Sequence, residues 1–284
     1  MIREIRLHAA MPFFFFFLFF LIECREEEQL PGGENWSFVV VGDVRQGYGV
    51  YGKLVTYMSR LRPTPDLAVC CGDIMLRGGN EVEWLNFWKY SEPVTEKMPF
   101  FLVRGGHEGN DVAAEQVLRE QMDFPDSVFY YTYRDEDAFF IFLDTEIRGE
   151  EGSIVNGQLA WLRHQLDTSA MDTEVHHVFI FMHHPLFPQG KYKGSNLKNA
   201  DELHALFLQY PKIKAVIVAH EHAFNAYRRD GLLYLTTGGG GAPLYHGYGG
   251  DYYHFVKISF YIPENRINVK TIGLFNETVE DFDI

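Results

Sequence analysis

Five short apolar runs in this sequence each stop on residue types able to hold a metal ion. Residues 38–41 run into Gly42-Asp43, 67–71 into Gly72-Asp73, 100–103 into Arg104-Gly105-Gly106-His107-Glu108, 178–182 into His183-His184-Pro185, and 216–219 into His220-Glu221-His222. Apolar runs of this length, rich in β-branched residues and bounded by glycine, read as buried strands. Open α/β sheets place ligands just beyond the carboxyl ends of their strands. Asp43, Asp73, His107, His183, His220 and His222 therefore form one candidate centre. Singly, an Asp after Gly is most often a turn residue and a lone His is more often hydrogen-bonded scaffold; together at strand ends they are harder to dismiss. Mixed carboxylate and imidazole donors suit zinc, iron or manganese. A carboxylate shared by two ions sets them about 3.5–4 Å apart, an arrangement that clamps a phosphoryl group and activates water.

The elements that must position these residues alternate in type over the first two thirds of the chain. Helical periodicity is expected over residues 50–61, 81–96, 111–122, 157–166 and 201–210, with Asp111 and Asn156 as candidate N-caps. Residues 129–133 and 139–143 flank the polar turn Arg134-Asp135-Glu136-Asp137 and read as a hairpin. Beyond the last histidines, residues 223–229, 232–237, 252–260 and 266–271 read as a β-meander, with Gly238 to Gly241 as a mobile or close-approach loop. The expected fold is α/β: two sheets packed face to face with helices outside.

At 284 residues and 46% apolar content the chain can build one large core. Residues 36–284 are expected to form one domain. Twenty-five basic against 39 acidic residues leave a net charge of −14, without the basic footprint that nucleic-acid binding needs. The amino terminus stands apart. Arg3 and Arg6 precede an almost pure Phe stretch from Met11 to Ile22, too short to span a bilayer comfortably, so residues 1–23 read as an export signal. Leu21-Ile22-Glu23-Cys24 resembles a lipoprotein box in which Cys24 is lipidated, with Glu23 where a small residue is expected. That reading places the protein outside the cytoplasm, in a cell envelope or beyond it, with membrane attachment through Cys24. Residues 24–35 read as a solvated tether. Cys70 and Cys71 are adjacent in a strand and read as small buried hydrophobes pointing to opposite faces.

In chain order, Gly42-Asp43-Val44-Arg45, Gly72-Asp73, Gly105-Gly106-His107-Glu108, His183-His184-Pro185 and Ala219-His220-Glu221-His222 resemble the motif series of the calcineurin-like metallophosphoesterases, including relatives of the purple acid phosphatases. That series reads G-D-x-H, G-D, G-N-H-D/E, H-x-P and G-H-x-H. Gln158-Leu159-Ala160-Trp161-Leu162 and the loop Thr237 to Leu244 also look familiar, so the resemblance covers roughly residues 36 to 260. It implies a four-layer αββα sandwich of two mixed β-sheets with flanking helices. It also implies two divalent or trivalent transition-metal ions, Mn, Fe or Zn, and hydrolysis of a phosphate monoester or diester of a small molecule or lipid.

Carried over residue by residue, Asp43 and His222 bind the first ion, His183 and His220 the second, and Asp73 bridges them. His107 protonates the leaving oxygen or stabilises the transition state, with Glu108 orienting it. Two positions depart from the family pattern. Arg45 stands where many members supply a His to the first ion, and Gly106 replaces the Asn carboxamide that reaches the second, leaving room for a water, with Asn110 as a candidate substitute amide. Each ion keeps three protein ligands, which with water make an adequate catalytic site. A guanidinium about 4 Å from an ion is repelled by about 4 kcal/mol per charge pair. Arg45 must therefore point away, pair with a carboxylate, or meet a substrate phosphate, and its bidentate geometry favours the phosphate. The competing reading is a weakly active or inactive descendant that binds a phosphorylated ligand or a partner. The presence of both His107 and Asp73 argues for activity. A zinc peptidase is disfavoured, because His220-Glu221-His222 lacks the helical His-Glu-x-x-His spacing.

Overall fold

Phe38 and Val40 pack into one apolar core while Val39 and Val41 pack into another, and this alternation along β1 (Trp36–Val41) sets out the whole architecture. A strand buried on both faces needs cover on both. In this computed structural model, which describes residues 33–109, 111–122, 128–190, 196–247 and 250–284, the cover is a second sheet on one side and helices on the other.

The first half of the chain runs β1, α1 (Tyr48–Met58), β2 (Leu67–Cys70), α2 (Glu81–Thr95), β3 (Phe100–Leu102) and α3 (Val112–Gln121). Next come β4 (Tyr131–Asp135), β5 (Ala138–Phe142), α4 (Asn156–Met171), β6 (His177–Phe181), α5 (Ala200–Phe207) and β7 (Ile213–Val218). Five strands close the chain: β8 (Phe224–Arg229), β9 (Leu232–Thr237), β10 (His254–Tyr261), β11 (Arg266–Gly273) and β12 (Thr278–Asp283). They build two six-stranded mixed sheets, ordered β12-β11-β10-β1-β2-β3 and β4-β5-β6-β7-β9-β8.

The core between the sheets is aromatic: Phe38, Phe140, Phe142, Phe179, Phe181 and Phe260 all belong to it. Full burial of each such side chain contributes about 1.5–3 kcal/mol. Tyr51 and Leu54 of α1 and Trp84 and Phe87 of α2 cover the outer face of the first sheet. Leu162 and Leu166 of α4, with Leu203 and Phe207 of α5, cover the outer face of the second. The result is the four-layer αββα sandwich. Cys71 lies in the inter-sheet core and Cys70 in the outer one, both free, as their adjacency in a strand demands.

Several details differ from the sequence reading. The last strands are not one meander: β8 and β9 form an antiparallel pair in the second sheet, with β9 parallel to β7, while β10, β11 and β12 run antiparallel in the first. β12 was not anticipated at all. Helix α4 begins at Asn156 itself, continues to Met171, and has Val155 as its N-cap; the Asn156 side chain donates to Glu150 Oε1 instead of capping. Asp111 does cap α3, accepting from the amides of Ala113 and Ala114 at 2.9 Å. The export signal, Cys24, the tether up to residue 32 and Asn110 lie outside the described residues. Among the described residues no helix is long and apolar enough to cross a membrane.

Candidate metal centre

Parallel pairing brings the loops that carry the candidate ligands together. Val41 is in register with Cys70, Cys70 with Leu102, and Phe181 with Ile217, so those strands end side by side and their loops leave from neighbouring points. The chain then turns sharply. Asp43, Asp73 and His220 hold φ of 57°, 52° and 68°, and Arg45 holds 45°. Non-glycine residues in this left-handed region cost about 1–2 kcal/mol each, and such strain concentrates at functional sites. Gly72 shows how close the loops approach: its φ is 85°, and a Cβ there would sit 2.7 Å from the Gly105 nitrogen. Gly238 makes the loop after β9 a close-approach loop, since a Cβ would come within 2.7 Å of Asp43 Oδ2.

The carboxylates and imidazoles named from the sequence converge. Asp43 and Asp73 are buried, as are His183 and His222. One donor atom each from Asp43, Asp73 and His222 lies within 4.8 Å of the others. His222 Nδ1 donates to the Pro243 carbonyl at 2.7 Å, which leaves Nε2 as a lone pair aimed at Asp43 Oδ1 at 3.5 Å. Both facing atoms are buried without a hydrogen-bond partner. Two orphaned polar atoms turned toward each other fit a cation between them.

The second group is arranged on the same logic. His183 Nδ1 donates to the Cys71 carbonyl at 2.8 Å, so Nε2 faces His220 Nδ1 at 3.2 Å and Asp73 Oδ1 at 3.5 Å. A backbone carbonyl that fixes the tautomer of an imidazole is the usual outer support of a metal-ligating His. Asp43 Oδ2 accepts the His220 amide at 2.8 Å and ties the two ligand loops together.

Burial alone would neutralise these groups; around His183 and Asp73 the neighbours overrule it, and around His220 and Glu108 they reinforce it. Burial acts to lower the His183 pKa, yet the Asp73 and Asp43 carboxylates hold it up at about 9. Burial acts to raise that of Asp73, and His183, His107 and Arg45 hold it well below the usual carboxylate range. His220 is pushed down to about 2 by burial and by its imidazole neighbours, so it stays neutral. Burial and the Asp73 charge raise Glu108 to about 7.

His107 joins the cluster from a 3-10 turn, Gly106–Glu108. Its Nδ1 donates to the Leu76 carbonyl at 2.9 Å and its Nε2 lies 3.9 Å from Asp73 Oδ2, with about a third of the side chain exposed. Glu108 acts differently from the sequence reading. Its carboxylate accepts the amides of Gly105, Asp73 and Ile74 at 2.6–2.9 Å, pinning the β2 and β3 loops together, and the His107 ring is oriented by Leu76. Arg45 Nη2 lies 3.1 Å from Asp73 Oδ2, so in this structure the guanidinium pairs with the carboxylate expected to bridge.

Sequence reasoning missed the loop after β5. Asp144 is clamped by Arg104 through two hydrogen bonds of 3.0 and 2.6 Å, its side chain accepts the Glu146 amide, and Glu146 Oε1 meets His184 Nδ1 at 2.9 Å. His184 packs on His220 with ring centroids 4.3 Å apart. The available signal was an Asp at a strand end like those of Asp43 and Asp73, but without a glycine before it. Tyr245, stacked on His222 at 4.3 Å, was also unforeseen.

Two mixed sheets with buried carboxylates and imidazoles collected beyond the strand ends define a metal-binding αββα sandwich. The model of the calcineurin-like phosphoesterase family matches residues 37–224, and the chain belongs to that family. A probable glycerophosphodiester phosphodiesterase, GpdQ, of Arcobacter nitrofigilis is 26% identical over 192 residues, 64% of this chain and 66% of that protein. Among solved structures, a purple acid phosphatase from yellow lupin superposes with a TM-score of 0.72 at 15% identity, covering 90% of this chain and 55% of that one. A dimetal phosphatase of Danio rerio gives 0.68 at 17% identity, covering 89% and 99%. The chain thus spans about two thirds of the length of the bacterial relative and about half that of the lupin enzyme.

Proposed function

We infer that the protein hydrolyses a phosphate monoester or diester at a two-ion centre. The observation that carries this is the convergence of Asp43 Oδ1 and His222 Nε2, buried and unpartnered, on a space that Asp73 also borders. Asp43, Asp73 and His222 would hold one ion and Asp73, His183 and His220 the other. Ions there supply positive charge toward a phosphoryl group and acidify water, the chemistry phosphoester hydrolysis needs.

This chain's residues do the rest. Asp73 stays ionised under the influence of its cationic neighbours and can serve both ions. His107, with Nδ1 committed to Leu76, carries its transferable proton on Nε2 and delivers it to the departing oxygen. Arg45, paired with Asp73 in the ligand-free protein and partly exposed, would turn to the non-reacting oxygens of the phosphate. Likeness to the bacterial glycerophosphodiester phosphodiesterase supports a glycerophosphodiester or a similar small phosphodiester as substrate. Residues 1–23 are proposed as an export signal and Cys24 as a lipid anchor, on their sequence pattern alone.

The test is metal analysis of the purified protein combined with hydrolysis of an aryl phosphate and its diester, with and without manganese. At least one ion per chain and metal-dependent turnover of one ester are expected. Less than one ion, with neither ester turned over above an Asp73→Ala control, rejects the enzyme and leaves a phosphate-binding scaffold.

A further inference from the structure

The two oxygens of Asp73 serve different partners. Oδ1 accepts the His107 amide at 2.9 Å and faces His183 Nε2 at 3.5 Å, whereas Oδ2 accepts from Arg45 Nη2 at 3.1 Å. Arg45 is held there by more than its side chain: its own amide donates to the Asp73 carbonyl at 2.9 Å, and its φ of 45° fixes the direction in which the side chain leaves. The side chain is only 21% exposed, and its Nε is buried without a hydrogen-bond partner. Asp43 Oδ1 and His222 Nε2, which also lack partners, receive nothing from this guanidinium. The arginine reaches Asp73 and stops.

We propose, resting on the reading of this cluster as a metal centre, that Arg45 is a resident cation that competes for Asp73 and weakens ion binding at the Asp43–Asp73–His222 site. An ion among those three residues must share Asp73 with the positive charge of a guanidinium. The repulsion is poorly screened, since Asp43, Asp73 and His222 are each no more than 1% exposed. The ion must therefore displace Arg45 from Oδ2 or accept a carboxylate already partly neutralised. The Asp73–His183–His220 group is served by the other oxygen, Oδ1, while the Arg45 hydrogen bond goes to Oδ2. Arg45 thus sets the occupancy of one ion site more than that of the other.

The experiment is calorimetric titration of the metal-stripped protein with manganese, comparing the wild type with Arg45→Met, which keeps length and removes charge, and Arg45→Lys, which keeps charge. Arg45→Met is expected to tighten one binding step tenfold or more and leave the other unchanged, and Arg45→Lys to stay within a few-fold of wild type. In a His222→Asn background the tightening should vanish, which locates the effect by a double-mutant cycle. Unchanged affinities in Arg45→Met, or the same tightening with His222 replaced, overturns the proposal while the metal centre stands. Failure of the wild type to bind manganese at all removes the metal centre itself. Circular dichroism of each variant confirms that the chain is folded.

Discussion

His222 Nε2 and Asp43 Oδ1 face each other across 3.5 Å, both buried and neither with a hydrogen-bond partner. The Pro243 carbonyl accepts from Nδ1 at 2.7 Å and so turns Nε2 toward Asp43. Without a cation the pair opposes folding, because a buried acceptor left unsatisfied costs about 1–3 kcal/mol. The arrangement is therefore one that metal binding stabilises and that metal-free protein bears as a cost.

Asp43→Asn should reveal that cost. The amide can keep its oxygen on the His220 N–H and turn its NH2 toward His222 Nε2, replacing a repulsion by a hydrogen bond. In the presence of a chelator the variant is expected to melt higher than wild type, by about 2–4 °C for each kcal/mol gained. With manganese added the order reverses, because the variant has lost an anionic ligand. Thermal melts with and without chelator measure both, and a lower melting point for the variant under chelation contradicts the account.

His183 predicts how ion binding depends on pH. Its pKa rises from 6.5 to about 9 because the Asp73 and Asp43 carboxylates outweigh burial. A base raised on folding gives the metal-free protein stability that is fully present below pH 6.5 and is lost as pH climbs through about 9. An ion competes with that proton for Nε2, so affinity should strengthen over the same interval, approaching about tenfold per pH unit for one displaced proton. Manganese titrations from pH 6 to 9 test this; a flat profile would show that His183 is not a ligand.

His107 should matter in proportion to the leaving group's need for a proton. Loss of a general acid costs about 10²- to 10⁴-fold. His107→Ala is expected to lower kcat by that range on an alkyl phosphodiester and far less on a nitrophenyl ester, whose leaving group departs without protonation. Equal losses on the two esters would assign His107 to charge stabilisation instead.

The clustering of the candidate ligands was legible because the apolar runs before them, except that of β3, are fully buried, and such strands read as unbroken apolar runs that stop where the candidate ligands begin. Residues 38–41, 67–70 and 178–181 show this directly. β12 escaped for the opposite reason: Thr278-Val279-Glu280-Asp281-Phe282-Asp283 is an exposed edge strand with charges facing solvent, and only its register with β11 makes it a strand. The insertion of β9 between β7 and β8 depends on a crossover that no local pattern encodes. The pairings Arg45–Asp73, Glu146–His184 and Arg104–Asp144 join residues 28 to 40 positions apart, so the sequence displays the partners without displaying the bond.

The central claim is that Asp43, Asp73, His183, His220 and His222 are metal ligands. Anomalous scattering from crystals grown with zinc addresses it most directly. The account predicts a peak bounded by Asp73, His183 and His220 and a second, of lower occupancy, bounded by Asp43, Asp73 and His222, at zinc–nitrogen distances of about 2.0–2.1 Å. Peaks only at surface histidines, with His222 Nε2 still facing Asp43 Oδ1 and no ion between them, would contradict it.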